Sequence, residues 1–147
     1  MSNLVEKIKG IYAITPNEPI NIDLIEATII RHKIGLLQYR HKINNVHLKR
    51  NEALQLRQLC NKHHTLFIIN DDINLAQKVQ ADGVHLGKDD NSIQQAKTQL
   101  GDDAIIGVSC YNDIDLAKQA QTQGASYVAF GALFTSSTKP DAPHCSL

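Results

Sequence analysis

Apolar positions in this chain fall into six short runs, at residues 10–14, 36–39, 66–69, 83–86, 105–108 and 127–130, separated by longer stretches with a different rhythm. Each run is strand length, and nearly all of its positions are apolar. The intervening stretches space apolar residues three and four apart, as in Leu48, Ala53, Leu56, Leu59 and Cys60, then Ile93, Ala96 and Leu100, then Leu116, Ala117 and Ala120. That spacing lays one apolar stripe along a helix. Strand and helix therefore alternate. Strands apolar on both faces and joined by helix-length crossovers predict a parallel sheet covered by helices, an α/β fold.

Two details choose among parallel architectures. Residues 81–87, Ala-Asp-Gly-Val-His-Leu-Gly, resemble residues 124–131, Gly-Ala-Ser-Tyr-Val-Ala-Phe-Gly, and each segment follows an Ala/Gln-rich helical stretch, as a repeated βα unit would. Polar residues with chemical capability also sit just after nearly every run. The βα loops of a closed barrel gather such residues into one site, whereas an open doubly wound sheet concentrates them at one or two loops. The prediction is a barrel of the TIM-type (β/α)8 family. A closed barrel of this kind takes eight strands and upward of about 200 residues. Six strands fit in the 147 residues present. The expectation is therefore a single domain over residues 1–147 made of the first six βα units, an incomplete barrel lacking the last two strands. Its first and sixth strands would present unpaired edges through which copies of the chain can associate as a homo-oligomer.

Composition adds exclusions. An apolar content of 42% in 147 residues supports one core and not two. Fifteen basic residues balance fifteen acidic ones with no block of like charge, which leaves no footprint for a nucleic acid or an anionic membrane. No apolar run reaches spanning length, and residues 1–9 lack the apolar stretch of a signal peptide, so a cytoplasmic location is expected. Cys60, Cys110 and Cys145 are widely spaced with no CxxC pair, and read as reduced thiols. His63 and His64 are adjacent, about 100° apart on a helix, and cannot chelate one ion together.

The chemistry is carried by the strand ends. After the second run, Gln38, Arg40 and Lys42 alternate with Tyr39 and His41, so an extended backbone projects all three to one side. Two cations buried without partners are costly, so they either sit in water as a solvated strand end or hold an anion. Arginine offers a fork to phosphate oxygens, lysine a compact charge and glutamine a neutral donor and acceptor, a set that suits a diphosphate. The third run ends in Asn70-Asp71-Asp72, and Gly87-Lys88-Asp89-Asp90 follows the fourth. One aspartate from each loop, with substrate phosphates, is the usual way to hold magnesium. Asp71 or Asp72, Asp90 and Ser92 also fit the ordinary role of helix caps. The nearby Arg40 and Lys42 favour the metal, because a cation and two basic groups together neutralise a diphosphate.

His85, between Val84 and Leu86, either points into the barrel near the metal or is a core histidine bonded to a neighbour, the more usual case. Ser109 has no Ser/His/Asp order around it and reads as a hydrogen-bonding residue, not a nucleophile. The segment Thr135-Ser136-Ser137-Thr138-Lys139-Pro140 suits a phosphate clamp and equally a mobile polar loop. Neither a Walker-type GxxxxGK nor a strand-borne GxGxxG occurs.

Taken in order, Gln38-x-Arg40-x-Lys42, Ile69-Asn70-Asp71-Asp72, Ala81-Asp-Gly-Val-His-Leu-Gly87 with Asp90, Ile106-Gly-Val-Ser109 and Gly131-x-x-Phe134-x-x-x-Thr138-Lys139 resemble thiamine phosphate synthase over nearly the whole chain. The resemblance implies a transferase that joins a hydroxymethylpyrimidine diphosphate to a thiazole phosphate, releasing pyrophosphate and giving thiamine phosphate, with Mg2+ as cofactor. Matched by position, it implies that Gln38, Arg40, Lys42, Asn70, Ser109 and Lys139 hold the pyrimidine diphosphate. Asp71 and Asp90 match the metal ligands, and Ser136, Ser137 and Thr138 the loop that contacts the thiazole phosphate. Arg40, Lys42 and Lys139 would stabilise the leaving diphosphate. An electron-rich aminopyrimidine can expel that group unaided by a protein nucleophile, so no acid/base pair need stand out.

The chain departs from the family at Lys88, usually glutamine, at Ala132, usually proline, and at Ser136, usually threonine. Lys88 places a charge beside Asp90, and the family's last two strands, which complete the thiazole phosphate pocket, are expected to be missing. Two rival readings follow. A thiazole tautomerase tends to lack the Asn-Asp pair and the basic set, both present here. A truncated, non-catalytic remnant would bind the pyrimidine diphosphate or pair with another chain, and it draws its support from the length.

Overall fold

The fold is that of a computed structural model, which describes residues 4–87, 92–134 and 145. After a short 3-10 turn at Leu4–Lys7, strand and helix alternate as β1 (Ile11–Ile14), α1 (Ile22–His32), β2 (Ile34–Tyr39), α2 (Val46–His63), β3 (Leu66–Asn70), α3 (Ile73–Lys78), β4 (Gly83–Leu86), α4 (Ile93–Leu100), β5 (Ile105–Tyr111), α5 (Ile114–Thr122) and β6 (Tyr127–Phe130). The six strands form one parallel sheet in sequence order, β1 to β6. The alternation predicted from the apolar runs is the alternation found. Its bounds differ where backbone pairing outlasts apolar character. Strand β2 starts two residues early at Ile34, β3 runs on through polar Asn70, and β5 extends through Ser109 to Tyr111.

Successive side chains in each strand serve two cores. Leu37, Tyr39, Phe67, Ile69, Val84, Leu86, Ile106 and Val108 face the helices, packing with Ala53, Leu56 and Cys60 of α2 and with Ala76 and Ala96 of α3 and α4. Their neighbours Leu36, Leu66, Ile68 and Ile105 form a second cluster on the other face, with Tyr12 and Tyr127 against it. Fully burying residues such as Phe67 and Ile68 contributes about 1.5–3 kcal/mol each. The second cluster exists because the sheet curls. Tyr12 of β1 and Tyr127 of β6 meet with hydroxyls 2.6 Å apart and rings edge to face at 5.7 Å. The first and last strands therefore lean toward each other across the concave face while remaining the edges of the sheet, with Ile11, Ile14 and Phe130 exposed.

Gly107 makes that curl sterically feasible. A Cβ there would lie 2.0 Å from the Tyr127 ring, so any side chain would push β6 off the concave face. The internal repeat also has a structural meaning. Asp82 and Ser126, equivalent in the two segments, each precede a strand and accept with their side chains from the amide of the preceding neighbour strand, Phe67 N at 2.7 Å and Ile106 N at 3.0 Å. Both also donate their own amides back, to Phe67 O and Ile106 O.

Five side chains start the longer helices by accepting from the amide three residues on: Asn21, Asn45, Asp72, Ser92 and Asp113. Among the described residues no helix is long and apolar enough to cross a membrane.

Candidate active site

The C-terminal ends of the strands carry the candidate residues. Gln38 and Ser109 lie on the concave face, and β2, β1, β6, β4 and β5 join them through one row of hydrogen bonds. Gln38 Nε2 donates to Tyr12 Oη at 2.7 Å, and the Tyr12 hydroxyl meets that of Tyr127. The Tyr127 hydroxyl lies 3.0 Å from His85 Nδ1, and His85 Nε2 lies 2.8 Å from Ser109 Oγ. His85 is thus bonded to neighbours, the more usual of the two readings, at 8% exposure. Ser109 is a hydrogen-bonding residue as expected. Burial raises the pKa of Tyr12 and Tyr127, so both phenols stay protonated and keep their capacity to donate and accept.

On the neighbouring loops, the cap falls to one aspartate of the adjacent pair. Asp72 is the cap of α3, accepting from Leu75 N at 2.8 Å. Asp71 is not a cap. It sits at φ 62°, a left-handed conformation that aspartate tolerates better than most residues, with its amide donating to His85 O at 2.9 Å. Its Oδ2 accepts from Asn70 Nδ2 at 2.6 Å. Ser92 caps α4, as the ordinary reading had it.

Asn70, Asp71 and Asp72 border a cleft of about 300 Å³ together with Lys42 and Lys49. Residues bearing carboxylate, amide and ammonium groups thus line one concavity at the ends of β2 and β3. Arg40 is not among its lining residues. Strand β2 ends at Tyr39, so Arg40 and Lys42 lie beyond it. His41 turns back to the same helix-facing side as Tyr39, where it meets Glu52 of α2. The segment is held by β1's outgoing loop: Arg40 N donates to Thr15 Oγ1 at 2.8 Å and Lys42 N to Asn17 Oδ1 at 2.6 Å.

Asp90, Ser136, Ser137, Thr138 and Lys139, with Lys88, lie outside the described residues. Among those described, no group of three or more metal-binding side chains occurs. Asn70 and Asp71 supply the hard oxygens that magnesium prefers, and one or two carboxylates suffice for it when phosphates complete the shell, so the donor set fits.

A sequence profile described as thiamine monophosphate synthase matches residues 11–147. The chain belongs to this family. The resemblance read from the five motifs is borne out by curated relatives, each called thiamine-phosphate synthase. That of Methylobacillus flagellatus is 50% identical over 142 residues, covering 95% of this chain and 68% of its own length. That of Halorhodospira halophila is 46% identical over 143 residues, covering 96% and 67%. Among solved structures, a thiamine phosphate pyrophosphorylase from Pyrococcus furiosus superposes with a TM-score of 0.80 at 30% identity, covering 92% of this chain and 66% of that one. The chain spans about two thirds of the length of these members of the thiamine monophosphate synthase family.

Sequence reading missed the groups that support the site. Tyr12 and Tyr127 were counted as strand residues only. Glu52 had a visible signal: it lies four residues before Leu56, on the apolar stripe of α2, where an unpaired carboxylate would be costly.

Proposed function

We propose that the chain is a transferase that makes thiamine phosphate from a hydroxymethylpyrimidine diphosphate and a thiazole phosphate. Family membership carries the reaction class, and one observation ties it to residues: Lys42, Asn70 and Asp71 border a single cleft at the strand ends. In this reading Gln38, Arg40, Lys42, Asn70, Ser109 and Lys139 hold the pyrimidine diphosphate, and Ser136, Ser137 and Thr138 hold the thiazole phosphate. Asp71 and Asp90 would hold Mg2+, which supplies positive charge to the diphosphate oxygens when bound.

The chemistry asks for positioning and charge. The bond between the pyrimidine methylene carbon and the diphosphate oxygen breaks with both electrons leaving on oxygen, and the ring amino group stabilises the carbocation. The thiazole nitrogen lone pair then forms the new C–N bond. No proton transfer to a protein base is required. Arg40, Lys42 and Lys139 offset the charge on the leaving group, and Gln38 and Ser109 orient the pyrimidine. The setting is the cytoplasm.

The test is pyrophosphate release on mixing both substrates with magnesium, which must depend on both. Arg40→Ala should weaken pyrimidine diphosphate binding by about tenfold or more in titration calorimetry, the scale of one charge-assisted contact, while thiazole phosphate binding changes little. Equal losses for both ligands would remove the assigned role, and absence of release would remove the reading.

A further inference from the structure

A hub behind the basic segment joins three parts of the chain. Glu52, 4% exposed in the middle of α2, accepts on Oε2 from the Tyr39 hydroxyl at 2.6 Å and is bonded there by His41 Nδ1 at 2.8 Å. Its Oε1 accepts from Ile20 N at 3.2 Å, in the β1–α1 connection. Both carboxylate oxygens are therefore engaged, and the Tyr39 and His41 rings stand edge to face at 6.5 Å. Burial acts to raise the Glu52 pKa, but the bonds from Tyr39, His41 and Ile20 outweigh it and hold the carboxyl below its usual range.

The spacing gives this hub its significance. Tyr39 and His41 alternate with Gln38, Arg40 and Lys42 in one extended stretch, and the stretch leaves the sheet at Tyr39. From there on no strand ladder fixes its path. Without a ladder, the segment from Arg40 to Lys42, with its two long cations, would sample many conformations and lose the advantage of holding both charges against one anion. The helix-facing residues supply what the ladder no longer does: Tyr39 and His41 are pinned to one oxygen of Glu52, while Thr15 and Asn17 take the amides of Arg40 and Lys42. Tyr39 and His41 are thus side-chain anchors on either side of Arg40, and the backbone of Arg40 and Lys42 is held from the β1 side.

We infer that Glu52 is a positioning residue for the diphosphate, setting the places of Arg40 and Lys42 through Tyr39 and His41. The inference rests on the proposed role of those two cations. It deepens that role by locating a determinant of diphosphate affinity on α2, at a residue that does not itself touch the leaving group in the proposed reading.

The experiment compares wild type, Glu52→Gln and Tyr39→Phe by calorimetric titration with inorganic pyrophosphate in magnesium buffer, with melting curves of each protein alone. Glu52→Gln keeps size and loses the charge that two donors share. It should weaken pyrophosphate about tenfold or more, and Tyr39→Phe, which removes one of the two donors, by less. A merely structural role lowers the melting temperature and leaves the dissociation constant of the folded protein unchanged, and that outcome overturns the inference. If Glu52→Gln does not fold, Tyr39→Phe decides alone: unchanged affinity overturns the inference, and weakened affinity supports it. Wild type that fails to bind pyrophosphate overturns the diphosphate reading itself, whereas wild-type binding with unaltered variants sinks only the role of Glu52.

Discussion

Adjacent residues of the same type do different work here, and hydrogen bonds separate them. Asp71 and Asp72 are interchangeable to composition and to motif spacing, yet one caps a helix and the other accepts from the side chain of Asn70. The cysteines divide the same way. Burial pushes the Cys60 thiol up to about 12 and raises that of Cys110, whereas Cys145 is partly exposed. Since the thiolate is the nucleophile, iodoacetamide at pH 8 should label Cys145 in the native protein and leave Cys60 and Cys110 unlabelled until denaturant is added. Peptide mass mapping would read this directly, and native labelling of Cys60 would contradict the buried placement. The sequence could name all these residues. It could not rank them, because rank depends on burial and on the partners the fold brings close, such as the His85 carbonyl that takes the Asp71 amide.

At the level of elements, period and punctuation carried most of the information. Six apolar runs gave six strands, and the inner four, β2 to β5, are buried on both faces over most of their length and so have few polar positions to disguise them. Helices α1 and α3 are the elements the apolar spacing did not single out, and in α3 the six residues span under two turns. Its stability depends on what starts it. Asp72→Ala should cost about 1 kcal/mol in urea unfolding, the usual value of an N-cap, without abolishing the fold. A loss well below that would mean the Asp72 bond to Leu75 N contributes little. The support for the basic segment was illegible at this scale because it crosses elements: Thr15 and Asn17 follow β1, Glu52 belongs to α2, and what they hold follows β2.

For the whole molecule, order along the chain and order in space coincide, since each strand pairs with the next. That much followed from alternation. The degree of curl did not, because it rests on Gly107 vacating space and on Tyr12 and Tyr127 filling it. The chain has no tryptophan and four tyrosines, so its near-ultraviolet spectrum belongs to tyrosine, and two of the four form the contact between the first and last strands. The aromatic circular dichroism of this protein is consequently an optical gauge of how far the sheet is rolled. In a denaturant titration the near-ultraviolet signal and the backbone signal should share one midpoint if curl and sheet form a single cooperative unit. Tyr127→Phe should diminish the former while leaving the latter in place. An earlier loss of the aromatic band would reveal a flattened intermediate, with its helices still attached and its two tyrosines parted.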